Sequence, residues 1–156
     1  MAKVYLSLGT NLGDKPANLQ AAVARLQAKI GNVVSLSSFY ETQPWGFVSQ
    51  HSFLNAAVCV ETALSPVEVL QATQAIEREL GRTHKSVDGV YADRLIDLDL
   101  LLYDDYVLQT HELTVPHPLM TERAFVMDPL CEIAADVVHP VFQRTLAELK
   151  SCICNR

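Results

Sequence analysis

The chain contains no apolar run of the roughly 20 residues needed to cross a bilayer as a helix. Its start, Met1-Ala2-Lys3-Val4, leads straight into a strand-like segment, without the apolar stretch and cleavage site of an export signal. Both absences point to a cytoplasmic protein with no membrane partner. Positive charge is also in short supply: 12 Lys and Arg stand against 18 Asp and Glu, for a net charge of −6. A nucleic-acid binder normally carries a basic face, so nucleic acid is not an expected partner. Any anion site must be a local basic patch. The familiar nucleotide motifs, G-x-x-x-x-G-K-[ST] and G-x-G-x-x-G, are missing, as are H-E-x-x-H and G-x-S-x-G. Only four cysteines occur. Cys59 and Cys131 lie in apolar runs and read as buried, reduced thiols. Cys152 and Cys154 form a lone C-x-C, half of a usual zinc set, and read as an incidental, partly exposed pair.

With 156 residues, 49% of them hydrophobic, the chain suffices for one domain with a sizeable core, and no repeat, linker or low-complexity tract divides it. Val4, Leu6 and Leu8 alternate with Tyr5 and Ser7, a strand pattern. After the turn Gly9–Asp14, a helix is expected with its N-cap at or near Asp14 and an apolar face of Leu19, Ala22, Val23, Leu26 and Ile30, stopped by Gly31. Val33–Tyr40 and Phe53–Glu61 read as strands. Ser65-Pro66-Val67-Glu68 is a capping box with proline at the first helical position, and its helix runs to Leu80 and ends at Gly81. Leu95–Tyr103 is another strand, with a turn at Asp104-Asp105 into a short strand near Val107. The remainder reads as irregular or short-helical, with an amphipathic stretch at Thr145–Lys150. The order β-α-β-β-α-β predicts an α+β fold with a ferredoxin-like core: an antiparallel sheet covered by helices, with a C-terminal extension, as a single domain over residues 1–156.

Two long loops, 42–52 and 82–93, stand out as functional candidates. Beside the second, Asp97-Leu98-Asp99 interrupts an apolar strand. The two-residue period puts both carboxylates on one face, roughly 6.5–7 Å apart. Such a pair is costly unless a cation or basic groups lie nearby. Hard oxygen ligands on a strand suit Mg²⁺, although D-x-D alone fits two solvated aspartates on an exposed face equally well. Arg82, His84, Lys85 and Arg94 add cationic groups next to the pair. Carboxylates for metal with cations for phosphate oxygens are the equipment of phosphoryl transfer. In the other region Trp45 is the single tryptophan, and Phe53 and Asn55 share a strand face. An aromatic beside an amide suits a flat heterocycle, while on the residues alone a core Phe53 and a backbone-capping Asn55 explain the pair as well.

Taken together, the segments Gly9-Thr10-Asn11-Leu12-Gly13-Asp14, Ser38–Gly46, Phe53–Val58, Glu77–Arg82, Arg94–Asp99, Val115-Pro116-His117-Pro118 and Glu122–Val126, followed by Pro129-Leu130 and Glu132-Ile133-Ala134, resemble the 6-hydroxymethyl-7,8-dihydropterin pyrophosphokinase family over roughly residues 4 to 140. The resemblance implies a folate-pathway transferase. The pterin hydroxymethyl oxygen attacks the β-phosphorus of ATP, and AMP leaves. It implies that Asp97 and Asp99 hold two Mg²⁺ ions, and that Arg82 and Arg94 join them as catalytic residues. ATP is expected to meet Gln74, Glu77, Arg82, His84, Tyr91, Arg94 and His117, with its adenine against Leu100, Leu113 and Thr114. The pterin is expected between Phe53 and Phe125, with Asn55 and the backbone around Thr42 and Pro44 reading its edge, and Trp45 and Arg123 closing over it. A monomer is implied.

The sequence departs from the family pattern at Tyr91-Ala92-Asp93-Arg94, where tryptophan-glycine-proline-arginine is usual, and at His84, which often is arginine. Asp93 sets a negative charge beside an expected phosphate contact, and the loop is about two residues longer than in close relatives. These changes bear on ATP affinity and loop closure. Two rival readings are a non-catalytic pterin-binding module, indifferent to Asp97→Ala, and a structural domain whose D-x-D binds Ca²⁺ or nothing.

Overall fold

The computed structural model describes residues 1–42, 52–81 and 96–154. Among them, seven strands, a 3₁₀ turn and four α-helices follow in the order β1 (Ala2–Thr10), α1 (Lys15–Lys29), β2 (Gly31–Leu36), β3 (Tyr40–Thr42), β4 (Phe53–Thr62), α2 (Pro66–Gly81), β5 (Asp97–Tyr103), β6 (Leu108–Gln109), β7 (Thr114–Val115), a 3₁₀ turn (Met120–Glu122), α3 (Ala124–Ala134) and α4 (Leu146–Cys154). The main sheet runs β2-β4-β1-β5 with every pairing antiparallel, and β3 continues the β2 side along β4. This is the expected ferredoxin-like α+β arrangement. β6 and β7 form a separate two-stranded ribbon.

The helix signals act as the sequence indicates. Asp14 caps α1 by accepting the Ala17 N–H at 3.2 Å. The Ser65 hydroxyl accepts the Glu68 N–H at 3.3 Å, while the Glu68 carboxylate accepts the Ser65 N–H at 2.9 Å, a reciprocal capping box. Leu19, Ala22 and Leu26 of α1 and Val69, Thr73 and Ile76 of α2 are buried against one face of the sheet. There they meet Val4, Leu6, Leu8, Val58, Val60, Leu98 and Leu100. α3 and α4 cover the opposite face, over Ala57, Leu101 and Leu102. The C-terminal extension is therefore the third layer, and the 11-residue α3 is more regular than its short-helical expectation. Among the described residues, no helix is long and apolar enough to cross a membrane. Cys59 is buried, Cys131 half-buried and Cys152 exposed, and all three are free thiols.

The sequence pattern misplaces some boundaries. Val33–Tyr40 is not one strand, because the chain breaks at Ser37. Leu36 pairs with Val58 and Tyr40 with Asn55, so three residues, 37–39, oppose two on β4. The surplus residue forces a bulge. The Ser37 hydroxyl then takes the place of a backbone acceptor, receiving the Ala57 N–H at 2.9 Å. Gly31 also does more than end α1. It opens β2 so close to β4 that a Cβ there would stand 2.0 Å from the Glu61 carbonyl oxygen. The short strand expected near Val107 begins at Leu108.

Candidate active site

β5 is the outer strand of the described sheet, and its alternation separates two chemistries. Leu98 and Leu100 point to the apolar core under α1 and α2. Asp97 and Asp99 point to the other face and are half-buried. In register, Asn55 of β4 lies opposite Gly9 of β1, and Gly9 lies opposite Asp97. Two strand spacings therefore separate Asn55 from Asp97, about 10 Å. Gly9 leaves the space between them without a side chain. A Cβ there would come within 3.1 Å of the Asn55 Oδ1 and 3.9 Å of Phe53. Asn55 is only 4% exposed, and its amide nitrogen donates to the Thr42 hydroxyl at 2.8 Å, which fixes the side chain. Phe53 is half-buried on the same face, two residues away.

Acidic groups converge at β5. The Glu77 carboxylate, from α2, accepts the Leu98 N–H at 2.8 Å. Burial is the main force pushing its pKa up, to about 7. The Leu98 hydrogen bond opposes the rise, and the proximity of Asp97, its hydrogen bond to Glu77, and then Asp99 add to it. Burial and the neighbouring aspartates thus favour the protonated form of Glu77. Two hard carboxylates on a strand fit Mg²⁺, which takes one or two protein carboxylates and completes its shell with phosphate and water. Among the described residues, no cluster of three or more His, Cys, Asp or Glu forms a metal site.

Another bulge places His117. β5 shifts register against β1 between Leu100 and Leu102, leaving Leu101 without a Cα partner. The Leu101 carbonyl accepts the His117 N–H at 2.9 Å. The His117 Nδ1 accepts the Leu119 N–H at 3.2 Å, so the neutral ring carries its proton on Nε2. Burial, and then the Arg123 guanidinium, hold its pKa below the usual histidine range, against the pull of Asp97. Arg123 precedes α3, with its guanidinium carbon 5.7 Å from the centre of the Phe125 ring, a cation–π contact. Phe125 is half-buried against the cluster that includes Ala57, on the sheet face that carries Asn55 and Asp97.

Gln74 is exposed on α2, where Gln74, Glu77, Arg78 and Gly81 line an open cavity of about 670 Å³. Leu100 and Leu113 are 5% and 8% exposed within the core, and Thr114 is half-buried on β7. The candidate residues Pro44, Trp45, Arg82, His84, Tyr91 and Arg94 lie outside the described residues. The sequence reading gave no role to Gly9 or Arg78. The signal for Gly9 is the strand register, which no linear spacing reveals. For Arg78 it is a basic residue in the last turn of α2, one position after Glu77.

Residues 5–135 match the family model for 7,8-dihydro-6-hydroxymethylpterin-pyrophosphokinase. The chain belongs to this family. Among its relatives, the 2-amino-4-hydroxy-6-hydroxymethyldihydropteridine pyrophosphokinase of Porphyromonas gingivalis is 56% identical over 135 residues, which is 86% of this chain and 92% of the relative. The enzyme of the same name from Aquifex aeolicus is 39% identical over 150 residues, 96% of this chain and 91% of the relative. That of Bacillus subtilis is 47% identical over 134 residues, covering 85% and 78%. The Plasmodium falciparum HPPK-DHPS crystal structure with SDX-DHP superposes with a TM-score of 0.77 at 17% identity, which establishes the shared fold. It covers 100% of this chain and 44% of that one, so the pyrophosphokinase chain spans less than half of the solved chain it matches. The family match ends one residue after α3, so α4 lies beyond it.

Proposed function

We propose that this pyrophosphokinase transfers a diphosphoryl group from ATP to the hydroxymethyl group of 6-hydroxymethyl-7,8-dihydropterin, releasing AMP, as a step of folate biosynthesis in the cytoplasm. We assign the reaction to one monomeric domain over residues 1–156. The observation that carries the reading is the register Asn55–Gly9–Asp97, with a polar amide and a carboxylate two strands apart and no side chain between them.

In this reading the pterin ring lies over Gly9 between Phe53 and Phe125. Asn55, braced by Thr42, reads its edge, and the hydroxymethyl group reaches toward β5. Pro44 and Trp45 are assigned to the same pocket, and Arg123 closes it beside Phe125. Asp97 and Asp99 would hold Mg²⁺, two ions being expected. Bound there, the metal would neutralise polyphosphate charge and align ATP with the alcohol. The alcohol oxygen forms a bond to the β-phosphorus while the bond from that phosphorus to the α–β bridging oxygen breaks. We assign the alcohol proton to the Asp97 carboxylate. His117, neutral with its proton on Nε2, donates to a phosphate oxygen. Arg82 and Arg94 hold further phosphate oxygens, with His84 and Tyr91 beside them. Gln74, Glu77, Leu100, Leu113 and Thr114 flank the nucleotide.

The test is nucleotide product formation from ATP, Mg²⁺ and 6-hydroxymethyl-7,8-dihydropterin, with an EDTA control. Pterin-dependent, EDTA-sensitive AMP is the expected result. ADP in its place would mean transfer of the γ-phosphoryl group and would overturn the assignment.

A further inference from the structure

β3 is three residues long and, among the described residues, pairs only with β4. A strand so short, joined to one partner, frays readily unless something else holds it. Its place matters, because Tyr40 pairs with Asn55 and Thr42 with Phe53, and the Thr42 hydroxyl fixes the Asn55 amide. Over the same face of β4 packs α3, whose second residue is Phe125. The Glu132 side chain joins the two. Glu132, two turns along α3 from Phe125, receives four hydrogen-bond contacts from three donors on Ser38, just before β3, and Tyr40, its first residue. The Ser38 N–H lies 2.9 Å from one carboxylate oxygen and 3.1 Å from the other, the Ser38 hydroxyl donates at 3.2 Å, and the Tyr40 hydroxyl donates at 2.6 Å. These contacts bridge 92 and 94 residues of sequence.

We propose that Glu132 is a positioning residue for the pterin pocket, a carboxylate clasp that sets α3 against the bulge before β3 and so fixes the spacing between Phe125 and the Asn55–Thr42 pair. The role rests on the pterin reading given above.

The chemistry suits a clasp better than general adhesion. Hydrogen bonds to an ionised acceptor are shorter and stronger than neutral ones, and a carboxylate that accepts at both oxygens from one residue and its neighbour fixes direction as well as distance. The Tyr40 hydroxyl, followed by the Ser38 N–H, holds the Glu132 carboxyl below the usual carboxylate range, so it stays ionised at neutral pH. Glu132 and Ser38 are exposed, Tyr40 is half-buried, and none of the three belongs to an apolar cluster, so removing the carboxylate takes no side chain out of the core. It sits on the pterin side of the site, while the ATP-side residues Glu77, Asp97 and His117 depend on α2 and β5.

The test compares wild type with Glu132→Ala, Glu132→Gln and Tyr40→Phe. Pterin affinity is read by ligand fluorescence without ATP, ATP affinity separately, KM and kcat by AMP formation, and β3 opening by amide exchange at Tyr40–Thr42. Glu132→Ala is expected to weaken pterin binding and raise its KM about ten-fold, the scale of one lost charge-assisted contact, with ATP affinity within two-fold and kcat little changed. Glu132→Gln and Tyr40→Phe fall between it and wild type, and exchange at residues 40–42 accelerates. A residue that merely stabilised the fold would lower the melting temperature and affect both substrates alike, which would overturn the proposal. So would unchanged pterin affinity in Glu132→Ala beside an active wild type. Failure of the wild-type chain to bind pterin would instead remove the substrate reading, and this role with it.

Discussion

The two faces of the sheet contrast sharply, although the same strands build both. Beneath α1 and α2, β1, β4 and β5 contribute aliphatic side chains such as Leu6, Leu8, Val58, Leu98 and Leu100. On the reverse, one residue out of phase, those strands contribute Asn55, Ser7, Gly9, Asp97 and Asp99 beside Phe53, and apolar residues where α3 and α4 pack. Leu98 sits between Asp97 and Asp99 in sequence yet belongs to the opposite world. One face stores stability, and the other holds charge that would be unfavourable in a core. Stability and chemistry are therefore separable by a step of one residue.

The largest expected effect tests that separation directly. Asp97→Ala or Asp99→Ala should cut turnover by at least about 100-fold, as loss of a metal-binding carboxylate does, with the melting temperature unchanged or slightly raised. Near-normal turnover in either variant would show that the polar face is not the reactive one. Leu98→Ala should do the reverse. Denaturant unfolding is expected to show a loss of about 2–5 kcal/mol, while molecules that remain folded keep their ATP and pterin affinities. A large activity defect at full stability would erase the contrast between the faces.

Asn55→Ala comes next. Loss of the amide should weaken pterin binding by about 1–3 kcal/mol and leave ATP binding nearly unchanged, because a buried ring edge is left unpaired. Equal losses for both ligands, measured by separate titrations, would count against dividing the polar face into two subsites. The smallest effect concerns pH and lies beyond α3. His139 is 3% exposed, its Nδ1 accepts the Val141 and Phe142 N–H groups, and burial lowers its pKa. Below the ordinary histidine value of about 6.5, the unfolded chain takes up a proton that the folded chain resists. This contribution is present above that value and is lost as pH falls through it. The drop in melting temperature between pH 7.5 and pH 5.5 should therefore be smaller in His139→Gln than in wild type.

Much of this contrast was legible in the sequence. Period-two alternation put Asp97 and Asp99 on one face of their strand and Phe53 and Asn55 on one face of theirs, and the cap signals at Asp14 and Ser65 fixed both helix starts. What escaped was whatever depends on one strand's offset from another. The surplus residue at 37–39, the bulge at Leu101 that frees a carbonyl for His117, and the placement of Gly9 between Asn55 and Asp97 are properties of pairs of strands. Nothing in either member alone marks them. The Glu132 clasp escaped for a related reason: a glutamate in an apolar helix looks like solubilising charge until a partner more than 90 residues earlier folds against it. The cations at Arg82 and Arg94 were legible as phosphate partners beside the aspartates, while the pterin roles of Trp45 and Arg123 came from the resemblance alone.

The Glu77 hydrogen bond to Leu98 has a consequence for solubility. An outer strand offers its unpaired N–H groups as a template on which another chain can extend the sheet. β5 is such a strand among the described residues, and it is otherwise one of the most aliphatic in the molecule. Glu77 occupies one of its outward donors, and Asp97 and Asp99 add charge that an incoming strand would have to desolvate. A carboxylate that flanks the nucleotide in the proposed reading thus also leaves this margin one donor fewer for edge-to-edge pairing.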